Sequence, residues 1–125
     1  MARQETPSDV TERPVLNGPV LAAVTREIVK LHADHYGKGA TKARSYLNDD
    51  ALMCLMRDTH TTAERTLVER GQGEAVCRMR RAFQDAMEEQ FIEIVERLTG
   101  RRVASFMSQV SIEPAADVEI FLLQP

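Results

Sequence analysis

The chain has 125 residues, a length at which one domain with a single hydrophobic core is expected. Hydrophobic residues make up 43% and charged residues 28%, which is the composition of an ordinary soluble globular domain. Lys and Arg number 16 against 19 Asp and Glu, and the resulting net charge of −3 argues against a dedicated nucleic-acid-binding domain, since such domains are clearly basic. Two cysteines are too few for a disulfide-stapled secreted scaffold.

The N-terminal segment, residues 1–16, mixes Pro, Ser, Thr and charged residues and has no apolar run of the kind found in a secretory signal. We therefore expect a disordered tail there, followed by one domain over residues 17–125. The longest apolar runs, Val20–Val24 and Phe121–Leu123, are far shorter than the roughly 20 residues that span a bilayer. The sequence thus predicts a cytoplasmic protein that does not insert into a membrane and reaches one only through a partner.

The first half of the domain predicts one helix and one β-hairpin. Asn17-Gly18-Pro19 has the residues of a helix start, with Asn as the cap and Pro in the first turn. Apolar residues then recur three or four positions apart, which predicts an amphipathic helix to about Tyr36. Lys42–Leu47 and Ala51–Arg57, joined by turn-forming residues 48–50, predict the hairpin. The second of these strands is apolar on both faces, so we expect it at the centre of a sheet.

The second half predicts a short helix, a long helix and a second hairpin. Thr61 and Glu64 fit a capping box, so a helix is expected from there to about Arg70. A continuous apolar stripe from Val76 to Leu98 then predicts a single long helix. The closing hairpin is predicted as the strand Ala104–Ile112, the turn 113–117 and the strand Val118–Leu123.

The element order, helix-hairpin-helix-helix-hairpin, predicts an α+β fold in which a four-stranded antiparallel sheet has helices packed on one face. The apolar residues on the other face would then need cover, which predicts a homo-oligomer and most simply a dimer. The long helix is basic early, at Arg80 and Arg81, and acidic late, at Glu89 and Glu93. This split favours antiparallel pairing of two copies through these residues, although a solvated helix face accounts for the same charges.

Several short motifs in the chain are shared with one known family. They are Arg26–Leu31, Tyr36–Gly39, Arg44–Asp50 and the run from Thr62 to Val103. Together they resemble the MpsC family of small bacterial proteins, formerly a domain of unknown function. The resemblance implies a link to a sodium-translocating, membrane-potential-generating system whose membrane components resemble a cation-coupled inorganic-carbon uptake system. The role it implies is that of a non-enzymatic accessory or regulatory protein with a membrane-protein partner.

A glycine-flanked cation, Gly37-Lys38-Gly39, is followed by Lys42 and Arg44. Glycines let backbone N–H groups converge, and nearby cations favour an anion, so phosphate, bicarbonate or a carboxylate would fit. The motif is too short for a nucleotide-binding loop, and Ala40 stands where the family's loop usually has proline, which loosens the loop. A small-anion sensor is therefore the second hypothesis, beside a plain helix end followed by a solvated strand.

His32 and His35 lie three residues apart on the predicted helix, within reach of one metal ion. A zinc site would need further ligands, and the candidates Asp34, His60 and Cys54 are not brought together by any spacing. The helix dipole also favours histidines near the end of a helix. Neither a metal site nor another cofactor is therefore predicted.

Cys54 and Cys77 are expected to be buried structural thiols, because neither has a visible base of the kind that activates a cysteine. No acid/base pair, nucleophile or cofactor loop marks a catalytic residue. A small enzyme is therefore only the third hypothesis, after the accessory protein and the anion sensor. No stretch combines cations with exposed aromatic residues, and a nucleic-acid partner is not expected.

Overall fold

A computed structural model describes residues 18–125, and over these residues the chain forms four helices and four strands. The predicted tail over residues 1–16 and the predicted cap at Asn17 lie outside the described residues. In chain order the elements are α1 (Gly18–Tyr36), β1 (Lys42–Asn48), β2 (Ala51–Arg57), α2 (Thr62–Glu69), α3 (Gly73–Ala86), α4 (Glu88–Thr99), β3 (Val103–Ser111) and β4 (Ala116–Leu123).

The four strands form one antiparallel sheet in the order β1-β2-β4-β3. The two hairpins therefore meet along their second strands, where Cys54 of β2 lies opposite Glu119 of β4. This arrangement confirms the predicted α+β class, the four-stranded antiparallel sheet and the central position of β2.

One face of the central strands lies in the hydrophobic core. Leu52, Cys54 and Met56 of β2 are buried, and so are Phe121 and Leu123 of β4. Successive residues of a strand point to opposite faces, so the residues between these belong to the other side of the sheet. The core cluster that contains the buried strand residues also contains Val24 and Ile28 of α1 and Phe91 and Val95 of α4.

We call the other side of the sheet the outer face. The cross-strand register places Met107, Ile120, Met53 and Tyr46 in one row across it, and Gln109, Val118, Leu55 and Arg44 in the next row. Each of these residues is half-buried or exposed.

Two predicted helix ends are confirmed in detail. Tyr36 ends α1 because Gly37 follows with a φ of 82°, a left-handed conformation that suits glycine. The capping box of α2 makes both of its bonds: the backbone N–H of Glu64 donates to the Thr61 hydroxyl at 3.2 Å, and the Glu64 carboxylate accepts from the Thr61 N–H at 2.9 Å.

The single long helix predicted over residues 76–98 is instead divided into α3 and α4. Met87 has φ of −101° and ψ of 5°, outside the helical range. Backbone hydrogen bonds still cross the division: the N–H of Met87 donates to the carbonyl of Phe83, and the N–H of Phe91 donates to the carbonyl of Met87. The apolar stripe therefore continues across the break, which is why the sequence pattern does not show it.

The predicted turn over residues 113–117 is too long, because Asp117 belongs to β4. Its backbone lies opposite Met56 on one side and Val110 on the other, and its side chain is buried among charged partners. These long-range contacts outweigh the poor strand propensity of aspartate. The buried row of β4 is consequently Asp117, Glu119, Phe121 and Leu123.

Candidate functional site

Arg80 of α3 is fully buried, and its guanidinium is the centre of a polar cluster. It donates two hydrogen bonds to the Glu64 carboxylate, from Nε at 2.8 Å and from Nη2 at 2.7 Å. Its Nη1 donates to Asp117 Oδ2 at 2.9 Å, and Nη2 also donates to the backbone carbonyl of Thr59 at 2.7 Å. The guanidinium carbon lies 4.3 Å from the centre of the Tyr36 ring. One side chain thus joins α2, α3 and β4 and rests on the end of α1.

This position takes Arg80 out of the expected dimer interface, because a side chain that is 0% exposed cannot reach a second copy. Arg81, Glu89 and Glu93 are exposed. Glu93 already accepts a hydrogen bond from Arg97 of the same helix at 2.9 Å.

Asp117 is held by hydrogen bonds on both of its carboxylate oxygens. The Thr59 hydroxyl donates to Oδ1 at 2.8 Å. Oδ2 accepts from Arg80 and, at 3.1 Å, from the side-chain amide of Gln84. These bonds fix the direction in which the carboxylate faces.

The carboxyl groups nearest Arg80 stay ionised in spite of their burial. Burial by itself raises the pKa of Glu64, but hydrogen bonds from Arg80 and from the backbone of Thr61 bring this pKa below its usual value. Burial likewise raises the pKa of Asp117, while His32 and Arg80 lower it, with a net lowering.

His32 of α1 faces Asp117 and a third carboxylate, that of Glu119. Its Nε2 lies 3.8 Å from Asp117 Oδ2 and 3.8 Å from Glu119 Oε2. Its Nδ1 lies 3.1 Å from the backbone carbonyl of Ile28. A carbonyl can only accept a hydrogen bond, so Nδ1 carries a proton and Nε2 is the ring nitrogen that faces the two carboxylates.

Glu119 is a buried carboxylate that the described part of the fold leaves unsatisfied. It is 0% exposed, and neither of its carboxylate oxygens has a hydrogen-bond partner within the described residues. Burial raises its pKa well above the usual value, and the charge of Asp117 adds to the rise while Ser108 and Gln84 oppose it. Two carboxylates and an imidazole nitrogen that converge in this way can bind a proton or a metal ion.

A surface cleft lies beside this cluster, between α3 and β3, with a volume of about 280 Å³. Gln84 and Ser108 are among the residues that line it. Ser108 is also the cross-strand partner of Glu119, and Gln84 bonds Asp117. These two side chains therefore connect the cleft to the buried carboxylates.

The residues of the predicted anion loop are placed in two groups. The Lys38 ammonium donates to the backbone carbonyl of Asp58 and lies 3.7 Å from its carboxylate. Lys42 and Arg44 instead lie on the outer face, where they line a depression of about 90 Å³ together with Arg57. The structure thus brings Lys42 and Arg44 together and pairs Lys38 with an acidic residue.

Cys77 and His35 lie apart from the polar cluster, whereas Cys54 is the cross-strand neighbour of Glu119. Cys54 is buried, as predicted, and burial raises the pKa of its thiol to about 12, which suppresses its reactivity. Cys77 is half-buried, so only one of the two predicted buried thiols is fully enclosed. His35 is exposed and its ring centre lies 5.9 Å from that of Phe83, while His32 faces the interior.

Asp117 and Glu119 are not among the site residues predicted from the sequence. The available indication was their spacing, because they alternate in phase with Phe121 and Leu123. A strand that turns two carboxylates to the same side as two large apolar residues buries charge, and buried charge requires partners.

Comparison with known families and proteins gives one match. A family model described as Na+-translocating membrane potential-generating system (MpsC) matches residues 17–125. Neither the curated proteins nor the solved structures contain a match. Within residues 18–125, no helix has the length and apolar character needed to cross a membrane.

Proposed function

The chain belongs to the MpsC family, and we propose that it is a non-enzymatic accessory protein of a Na+-translocating, membrane-potential-generating system, which it joins from the cytoplasmic side by binding a membrane component. The observation that carries this proposal is the family match, which covers residues 17–125. The outer face of the sheet supports it by offering a surface suited to a protein partner.

The outer face exposes large apolar side chains over its middle rows. Tyr46 is 43% exposed, Met107 44% and Leu122 38%. The half-buried residues Met53 and Ile120 lie between Tyr46 and Met107 in the same row. A continuous apolar patch of this kind is typical of an interaction surface.

The charge on the outer face indicates what kind of partner fits it. Lys42, Arg44 and Arg57 place three cations at one end, and none of the described strand residues that face this side is acidic. A second copy bound face to face would bring cations near cations. An apolar segment of the membrane component, flanked by acidic residues, fits both the apolar rows and the cations.

Membrane vesicles from native cells that lack this chain provide the test. Their Na+-dependent membrane potential, measured with a voltage-sensitive dye, should be impaired, and addition of the purified full chain should restore it. A chain with Met107→Lys and Leu122→Lys should fail to restore the potential, because charged groups would enter the apolar contact.

Leu67→Lys is the matched control, since Leu67 is 41% exposed on α2, away from the sheet. This variant should restore the potential as well as the parent does. Vesicles that generate the same potential with and without the chain would contradict the accessory role. Restoration by the double variant would contradict the assignment to the outer face.

Small-anion binding is a second candidate function, and the grouping of Lys42 and Arg44 with Arg57 supports it. Titration with bicarbonate or phosphate, followed by NMR chemical shifts, should perturb these residues. The response should be lost in Lys42→Ala with Arg44→Ala and kept in Lys38→Ala, because Lys38 is paired with Asp58. An identical response in the parent and the double variant would exclude this site.

A further inference from the structure

We propose that His32, Asp117 and Glu119 form a binding site for a first-row divalent cation, with Zn²⁺ as the best fit. The proposal is independent of the link to a membrane system. It rests on the convergence of three ligand atoms, on the unpartnered state of Glu119 and on the charge of the surrounding cluster.

The ligand atoms are already close to the spacing that a metal requires. The Nε2 atom of His32 lies 3.8 Å from an oxygen of each carboxylate, and the three ligand atoms all lie within 4.8 Å of one another. Zinc binds nitrogen and oxygen at about 2.0–2.2 Å, which puts two tetrahedral ligands about 3.4 Å apart. To close the site around the ion, the two distances from His32 would have to shorten by about 0.4 Å, and the distance between the two carboxylate oxygens by at most about 1.4 Å.

The unpartnered atoms distinguish this cluster from an ordinary buried ion pair. Both oxygens of Glu119 and the Nε2 atom of His32 lack hydrogen-bond partners, although both side chains are at least 98% buried. Ionised carboxylate oxygens carry only lone pairs, and so does Nε2 of a neutral imidazole, so these atoms cannot satisfy one another without a proton or a cation between them. Buried polar groups are almost always paired, and a bound ion is one of the explanations for an exception.

The charge of the cluster favours a divalent ion. The carboxylates of Glu64 and Asp117 pair with the guanidinium of Arg80, which neutralises one negative charge, and Glu119 adds a third carboxyl group to the cluster. Two negative charges then remain when all three carboxylates are ionised. A divalent cation balances them, with His32 bound as the neutral imidazole.

The groups behind the ligands are those that orient metal ligands in known sites. The Nδ1 atom of His32 is bonded to the Ile28 carbonyl, which directs Nε2 at the site. Arg80 and Thr59 hold the Asp117 carboxylate. The imidazole argues against Ca²⁺ and Mg²⁺, which prefer oxygen ligands, and for Zn²⁺, Fe²⁺ or Mn²⁺.

Metal titration of the untagged full chain tests the site. The protein is treated with a chelator, dialysed and titrated with Zn²⁺ by calorimetry and with Co²⁺ by visible absorption. A Cys77→Ser background removes the more accessible thiol as a competing ligand. We expect one equivalent of Zn²⁺, the visible bands of four-coordinate Co²⁺, and no comparable binding of Ca²⁺ or Mg²⁺.

Glu119→Gln should weaken Zn²⁺ binding at least tenfold, because the amide keeps the shape of the side chain and loses the anionic ligand. Glu89→Gln, at an exposed position, is the matched control and should bind as the parent does. A second readout needs no variant: Zn²⁺ should shift the imidazole NMR signals of His32 and leave those of His35 in place.

Three results would overturn the proposal. They are the absence of one-to-one binding below millimolar Zn²⁺, equal affinity in the parent and Glu119→Gln, and Zn²⁺-induced shifts at His35 without shifts at His32. If circular dichroism shows that Glu119→Gln does not fold, the imidazole NMR signals of His32 and His35 in the parent decide whether Zn²⁺ binds at this site.

Discussion

Arg80 shows how a single residue can carry both the charge and the hydrogen bonding of a protein interior. Its guanidinium donates to two carboxylates and one backbone carbonyl, and it stacks on the Tyr36 ring. A buried ion pair of this kind adds little stability compared with an apolar core of the same shape. Removal of one partner is costly, however, because the other charges stay buried without compensation.

Arg80→Ala should therefore destabilise the fold by about 3–5 kcal/mol. Arg81→Ala, one position along the same helix but exposed, should change the free energy of unfolding by no more than about 0.5 kcal/mol. Urea unfolding of both variants measures the difference. A loss below about 1 kcal/mol for Arg80→Ala would show that Glu64 and Asp117 find other partners.

The pH dependence of stability should reveal the bond between Glu64 and Arg80. The pKa of Glu64 is lowered in the folded chain, so ionised Glu64 stabilises the fold above the unfolded-state pKa of about 4.3, and this contribution is lost as the pH falls through the folded-state pKa. At neutral pH, the free energy of unfolding of the parent should exceed that of Glu64→Gln by about 1.5–3 kcal/mol. The gap should narrow as the pH falls through the folded-state pKa of Glu64, below which both side chains are neutral.

Urea unfolding at a series of pH values from neutral to acid gives the free energy of unfolding of the parent and of Glu64→Gln as a function of pH. Glu89→Gln serves as the control, because Glu89 is exposed and its replacement should leave the pH profile of the parent nearly unchanged. A gap that stays constant down to the lowest pH at which the parent still folds would contradict a charge-dependent role for Glu64.

At the scale of elements, α2 shows how local and tertiary contacts share one residue. A helix of eight residues is marginal by itself. Glu64 closes the capping box at the start of this helix and also receives the guanidinium of Arg80. The same carboxylate thus starts α2 and anchors it to α3.

Thr61→Ala should destabilise the protein by about 1 kcal/mol, because the backbone N–H of Glu64 loses its acceptor. Thr66→Ala is the control within the same helix, since Thr66 is exposed and its hydroxyl only bonds back to the carbonyl of Thr62. Thr66→Ala should lower the free energy of unfolding, measured by thermal or urea unfolding, by less than about 0.5 kcal/mol. Equal losses in the two variants would assign no special role to the cap.

The break between α3 and α4 is not visible in the hydrophobic pattern of the sequence. Residues 85–88 contain neither proline nor glycine, and the apolar stripe runs through Met87 without a gap. Helix propensity therefore predicts continuity there. Met87 is buried, so the packing of α3 and α4 in the core, and not local preference, sets its conformation.

At the scale of the whole molecule, the dimer remains a prediction, now centred on α3 and α4. Arg81 and Glu89 are both exposed, and Met79 of α3 is 44% exposed. Antiparallel pairing of two copies would bring the basic part of one helix pair to the acidic part of the other. This pairing would leave the outer face of the sheet free for the membrane component that we propose as its partner.

Light scattering at micromolar concentration should find a species of twice the chain mass. Arg81→Glu should weaken this dimer, and Glu89→Arg in the same chain should partly restore it by reversing both charges. Arg70→Glu, at an exposed position outside this helix pair, provides the control. A single species of monomer mass in the parent would contradict the prediction, and failure of the reversed pair would contradict the antiparallel arrangement.

The sequence by itself determined those features that depend on neighbours along the chain. The end of α1 at Tyr36 follows from the glycine after it, and the start of α2 follows from Thr61 and Glu64. The family resemblance, which the match over residues 17–125 confirms, likewise depends on motifs that are contiguous in sequence.

Only the tertiary structure decided which charged residues meet inside the protein. His32, Arg80 and Asp117 are far apart in sequence, and the pattern of each segment alone is compatible with a solvated side chain. The pairing of β4 between β2 and β3 turns Asp117 and Glu119 to the buried side, whereas a shift of one residue would turn Val118 and Ile120 there instead. Strand register is fixed by contacts between distant segments, so the chain has to fold before these carboxylates, the imidazole and the guanidinium form one cluster.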